Sequence, residues 1–130
     1  MSSSNSTSNS TSAASPWPTS LKVDAAKRIL TIEFDDGKVF AIEAELMRSH
    51  SPSAEVQGHA PDQRVTVWGK RMVIIRDMVP TGNYAVRLAF DDGHDTGIFT
   101  WTYLRELGQD GPALWQAYLS ELEAKGLTRG

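Results

Sequence analysis

Apolar and polar residues alternate at Leu21 and Val23, again through Ile29, Leu30, Ile32 and Phe34, and again through Val39, Phe40 and Ile42. A period of two predicts strands with one face on a core. Asp24-Ala25-Ala26-Lys27 reads as the turn between the first two, and Asp35-Asp36-Gly37 as the turn between the next two. Glycine tolerates positive φ and aspartate the left-handed region, which tight hairpins require. The period then lengthens. Glu43 to His50 predicts a short helix with Leu46 and Met47 facing inward.

The same order of signals returns in the second half. Val86, Leu88 and Phe90 alternate, Asp91-Asp92-Gly93 turns the chain, and Gly97-Ile98-Phe99 returns. Thr100 is placed to cap a helix over Trp101, Leu104 and Leu107, with Gly108 at its C-terminal end. The string FDDG stands at 34–37 and at 90–93, and Met47-Arg48 and Leu104-Arg105 follow it at matching places. One strand–turn–strand–helix unit is therefore repeated. Between the copies lie a loop over about 51–66 and a β-rich run, Val65 to Val79, ending at Pro80-Thr81-Gly82-Asn83. Trp115, Tyr118, Leu119 and Leu122 form an amphipathic stripe on a C-terminal helix that opens at Pro112 and closes at Gly126. The expected class is α+β: small antiparallel sheets from two such units, plus a C-terminal helix.

Composition sets the limits. At 130 residues the chain suits one domain. The first 15 residues hold twelve Ser, Asn or Thr, too little apolar surface to offset ordering entropy. We expect a disordered tail at 1–16, the folded domain at 17–126 and a flexible C-terminus at 127–130. Asn5-Ser6-Thr7 and Asn9-Ser10-Thr11 match a glycosylation sequon, but no apolar signal-peptide core accompanies them, so a cytoplasmic protein is expected. The net charge of −3 argues against broad nucleic-acid binding, and no apolar run approaches a membrane span. The absence of cysteine removes disulfides, thiolate metal ligands and thiol catalysis.

Few residues carry candidate chemistry. Asp35-Asp36 and Asp91-Asp92 are paired carboxylates, but each pair precedes glycine and turn chemistry accounts for it. His50, His59 and His94 lack any H-x-x-x-H or H-E-x-x-H spacing, which leaves them as weak metal candidates. Ser51-Pro52 predicts an N-cap with proline in the first helical position, whose free N–H groups could hold an anion. A nucleophilic serine would need an oriented base, and no spacing assigns one. Gly69-Lys70 lacks the remainder of a phosphate loop.

PTSLKVD at 18–24, LMRSHSPSAEVQGH at 46–59, GNYAVRLAFDDGHDTGIFTW at 82–101 and YLRELG at 103–108 resemble the gamma-butyrobetaine hydroxylase-like N-terminal domain, a family of small, mostly bacterial proteins of unassigned function. The resemblance spans about residues 16–126. It implies kinship with a domain that precedes the iron- and 2-oxoglutarate-dependent oxygenase domain of carnitine-biosynthesis hydroxylases. The same domain is fused to an ATPase of iron–sulfur cluster assembly in plastids. In the hydroxylases it implies a structural zinc held by C-x-C-x-x-C and a later histidine. Those places fall here on Ser51, Ser53, Val56 and His94, so the zinc site is expected to be lost and no cofactor is expected.

The first expectation is thus a non-catalytic binding or adaptor domain, linked to iron or iron–sulfur protein biology. It would present Arg48, Ser51, Glu55, His59 and Trp68 to a protein partner. The alternative is an iron- or zinc-binding accessory protein using His50, His59 and His94. A small enzyme acting on a carboxylated metabolite ranks third. A monomer or weak homodimer is expected, with neither nucleic acid nor membrane as partner.

Overall fold

The computed structural model describes residues 16–57 and 64–130. Strands β1 (Pro18–Val23), β2 (Ile29–Phe34) and β3 (Val39–Glu43) lead into helix α1 (Ala44–Ser49) and a short α2 (Ala54–Gln57). Strands β4 (Ile75–Thr81), β5 (Ala85–Phe90) and β6 (Gly97–Thr100) lead into α3 (Trp101–Gln109), and α4 (Gly111–Ala124) follows. Each set of strands forms an antiparallel sheet in sequence order, β1-β2-β3 and β4-β5-β6. The class is α+β, and the repeated unit is real.

The repeat extends to individual hydrogen bonds. In the first turn Gly37 N–H donates to Phe34 O and Phe34 N–H to Lys38 O; in the second, Gly93 donates to Phe90 and Phe90 to His94. Gly37 and Gly93 sit at φ 87° and 92°, where a side chain would be strained. The leading aspartates have a shared task. Asp35 Oδ1 accepts from Trp17 N–H and Asp91 Oδ1 from Ile74 N–H, both at 3.1 Å, tying each turn to the chain entering its sheet. The second aspartates close their own turns, Asp36 on Lys38 N–H and Asp92 on His94 N–H.

One apolar cluster draws on both units. Leu30, Ile32 and Phe34 of β2 meet Val86, Leu88 and Phe90 of β5, with Met47 from α1 and Leu104 from α3. Alternation along the two middle strands puts these side chains on one face, and their burial supplies most of the stabilisation, about 1.5–3 kcal/mol for each large side chain. The helices are exchanged across the units. Arg48 of α1 pairs with Asp92 in the second turn at 2.7 Å, and Arg105 of α3 pairs with Asp36 in the first at 2.6 Å. Thr100 caps α3 by accepting from Tyr103 N–H.

Several local expectations are corrected. Gly108 does not end α3, which runs to Gln109. It is small because Phe40 lies against it: a Cβ there would fall 2.5 Å from Phe40 Cγ. Helix α2 begins at Ala54, with Ser53 O accepting from Val56 and Gln57 N–H, so Ser51 is not its cap. Of the run Val65 to Val79, only the part from Ile75 joins a sheet. Helix α4 ends at Ala124 and is closed by Gly126, the glycine expected to end it. Leu127 N–H reaches Leu122 O and Gly126 N–H reaches Glu123 O, the paired bonds of a Schellman closure. Residues 127–130, set apart in sequence, return to the domain: Thr128 O accepts from Gly69 N–H and Arg129 O from Arg71 N–H. Among the described residues no helix is long and apolar enough to cross a membrane.

Candidate functional site

His94 follows the second turn directly, and its backbone N–H is held by Asp92 Oδ1 at 3.0 Å. That anchor sets its ring against the chain leaving α1. His94 Nε2 lies 2.9 Å from Ser51 Oγ and 3.3 Å from Ser53 Oγ. Val56 is buried and lines one groove together with His94. Gly97 gives Ser51 its room, since a Cβ there would stand 2.4 Å from the hydroxyl oxygen. Residues more than forty positions apart thus come together, as the resemblance implied for the zinc ligands.

Their chemistry has changed. Zinc sites draw on thiolates, imidazoles and carboxylates in groups of three or four. Here stand one imidazole, two neutral hydroxyls and an isopropyl group, which do not fit zinc. Hydrogen bonds to a single ring nitrogen and an apolar side chain take the place of coordination. Ser51 and His94 are also at nucleophile-to-base distance. However, the Ser51 side chain is entirely buried, which removes it from the exposed surface expected of it.

His50 is placed elsewhere. Its Nδ1 lies 3.0 Å from Ser49 Oγ and 3.1 Å from Leu46 O, and its ring meets Tyr118 edge-on. Burial lowers its pKa, against the opposing pull of the Leu46 carbonyl. It therefore reads as a packed, neutral side chain at the end of α1. His59 and the side chain of Glu55 lie outside the described residues. Among the described residues no three His, Asp or Glu converge as metal ligands.

Arg48 and Trp68 do share a place. With Val56, Lys70 and His94 they line a groove of about 590 Å³. Its two cations, Arg48 and Lys70, converge on Asp92. Arg48 Nε at 2.7 Å and Lys70 Nζ at 2.8 Å both reach Asp92 Oδ2. Burial opposes the charge on Asp92, but Lys70, the His94 N–H and Arg48 outweigh it and pull the pKa down to about 2. Asp92 is therefore ionised at neutral pH, and the trio carries one net positive charge. Arg48 Nη1 is buried and has no hydrogen-bond partner among the described residues.

The segment carrying Trp68 is irregular and outside both sheets, and it is fastened at many points. Val65 N–H donates to Val56 O, Tyr118 Oη–H to Val67 O and Gly69 N–H to Thr128 O. Arg64 Nη1 donates to both carboxylate oxygens of Glu121, and Thr66 donates to the same carboxylate. Trp68 nevertheless stays 56% exposed, flanked by exposed Val65 and Met72. In the sequence Lys70 carries no signal beyond a phosphate-loop fragment. No local signal links it to Asp92, some twenty residues away.

Comparison with known proteins bears on these places. A family profile described as gamma-butyrobetaine hydroxylase-like, N-terminal, matches residues 21–105. Among solved structures, one NMR solution structure shares 44% identity at a TM-score of 0.77, covering 90% of this chain and 87% of the other. A second shares 42% at 0.76, covering 89% and 91%. A crystal structure from Acidithiobacillus ferrooxidans, of a protein of unknown function in the DUF971 family, shares 35% at 0.58, covering 70% and 91%. No curated protein sequence matches the chain.

Proposed function

The chain belongs to the gamma-butyrobetaine hydroxylase-like N-terminal domain family, and from that premise we propose that it is a non-catalytic binding domain that docks a protein partner on the face carrying Trp68 and Arg48. The observation that carries this reading is Trp68 itself, more than half exposed on a segment whose backbone is bolted to α2, α4 and the C-terminus. With more than half of its surface left in water, the indole gives folding only part of its apolar area. Exposed aromatics on fixed scaffolds are the usual anchors of interfaces. Val65 widens the apolar area in the same groove, and Arg48 and Lys70 border it with charge.

The same reading leaves the Ser51–His94–Ser53 cluster as a structural clasp and requires no cofactor. The pathway it extends to is that of iron or iron–sulfur proteins, in which the resemblance places other carriers of this domain. It also takes the cytoplasm as the site of action. The histidine-based metal reading draws no support from the geometry, because His50 is engaged within its own helix end. The test is affinity purification from the native cell, followed by reconstitution of the identified partner with purified protein. Trp68→Ala is expected to weaken that binary affinity by about 2 kcal/mol, roughly thirtyfold, as truncating an anchor does. Ile98→Ala, on the exposed face of β6, should leave it unchanged. A partner bound equally by both variants overturns the docking face.

A further inference from the structure

The repeat supplies an internal control for the Arg48 site. Both units place an arginine from the opposite unit on the second aspartate of the turn. In the first turn that arginine is satisfied. Arg105 meets Asp36 with both terminal nitrogens, at 3.3 and 2.6 Å, and its guanidinium lies 4.9 Å from the centre of the Phe34 ring. In the second turn the same construction is left unfinished. Arg48 reaches Asp92 through Nε, Lys70 takes the same carboxylate oxygen, and Arg48 Nη1, although buried, has no acceptor among the described residues. An unsatisfied buried donor on a charged group is costly, and native structures rarely keep one without a reason. Here the surplus cation and the orphaned donor belong to residues lining the Trp68 groove.

We propose that Arg48 and Lys70 form a carboxylate-binding site that receives an acidic side chain of the partner segment, with an apolar neighbour of that side chain resting on Trp68. The proposal rests on the docking reading above and names the chemistry recognised there. Charge complementarity selects the occupant. Two cations share one carboxylate, so a second carboxylate completes the pairing, and guanidinium is well suited to take it through two parallel hydrogen bonds. Nη1 is buried while Arg48 and Lys70 both line the groove, so the incoming group reaches it through a rotation of one of these long side chains. The exposed apolar surface of Val65 and Trp68 along the groove explains why a peptide segment fits better than a free anion: its backbone neighbours have surface to cover.

The experiment uses the full chain, isotopically labelled for NMR, with the blocked peptides acetyl-Leu-Glu-Leu-amide and acetyl-Leu-Gln-Leu-amide and with glutarate as probes. The glutamate peptide should shift the Arg48 side-chain N–H and the Trp68 indole together, and bind about tenfold more tightly than the glutamine peptide. Lys70→Ala should narrow that difference to threefold or less, by loss of one charge, on the order expected for a surface-exposed contact. Lys22→Ala, on an exposed strand far in sequence, should preserve it. Equal Trp68 responses to both peptides overturn the carboxylate assignment and leave the docking face standing. Glutarate binding as tightly as the glutamate peptide overturns the choice of a protein segment. A reconstituted partner that ignores Trp68→Ala overturns the docking face itself, whatever the peptides do.

Discussion

At the scale of single residues, the Ser51, Ser53, Val56 and His94 quartet separates position from chemistry. The backbone brings the two hydroxyls within 3.3 Å of one imidazole nitrogen, so the geometry of a ligand set survives without its donors. Restoring the donors should restore the function of the place. The triple variant Ser51→Cys, Ser53→Cys, Val56→Cys is expected to bind zinc stoichiometrically, and the unaltered protein to bind none. Metal analysis of protein purified without a histidine tag reads the result; a metal-free triple variant would show that the quartet does not converge as described. The individual residues here were visible in the sequence, and the resemblance put them in one set. Their contact was not visible, because Ser51 and His94 lie 43 residues apart and no periodicity spans that distance. Lys70 was missed for the same reason, while Ser51 was misplaced because a serine in a polar stretch gives no sign that it will be buried.

At the scale of elements, the second turn is an electrostatic joint between α1 and the hairpin of β5 and β6. Asp92 has a pKa depressed from 3.8 to about 2 in the folded state. Its contribution is therefore fully present above the unfolded value and is lost as the pH falls through that window. Melting temperatures followed from pH 5 to about pH 2 should drop less steeply for Asp92→Asn than for the unaltered protein, with the curves converging at the acid end. Parallel curves would place the acid sensitivity elsewhere. The elements themselves were largely legible. Both hairpins, α1, α3 and α4 follow from alternation, turn residues and caps, which act within a few positions. The segment 64–74 was not, since β-rich composition cannot say whether a neighbouring strand is free to pair with it. Gly108 likewise looked like a helix end until Phe40 supplied the reason for its size.

At the scale of the whole molecule, the C-terminus acts as a strap. Arg129 meets both oxygens of Glu45, whose side chain is only 4% exposed, and its guanidinium also lies over Trp115. Removing residues 127–130 would strand a buried carboxylate and free the Gly69 and Arg71 backbone beside Trp68. The expected cost is about 1–3 kcal/mol, below that of a fully buried pair because Arg129 keeps 31% of its side-chain surface in water. Urea unfolding checks it, and Glu45→Gln in the truncated chain should recover part of the loss; no change on truncation would show the strap to be ornamental. The sequence by itself determined the two repeated units, their turns and their helices, because strand and helix periods and glycine-bearing turns are written in short windows. Only the tertiary structure decided what those units do to one another. The exchange of Arg48 and Arg105 across the units, the burial of Ser51 against His94, the return of Arg129 to Glu45 and the exposure of Trp68 all depend on how two folded units pack. That packing is set by the summed complementarity of distant surfaces, which no local pattern records.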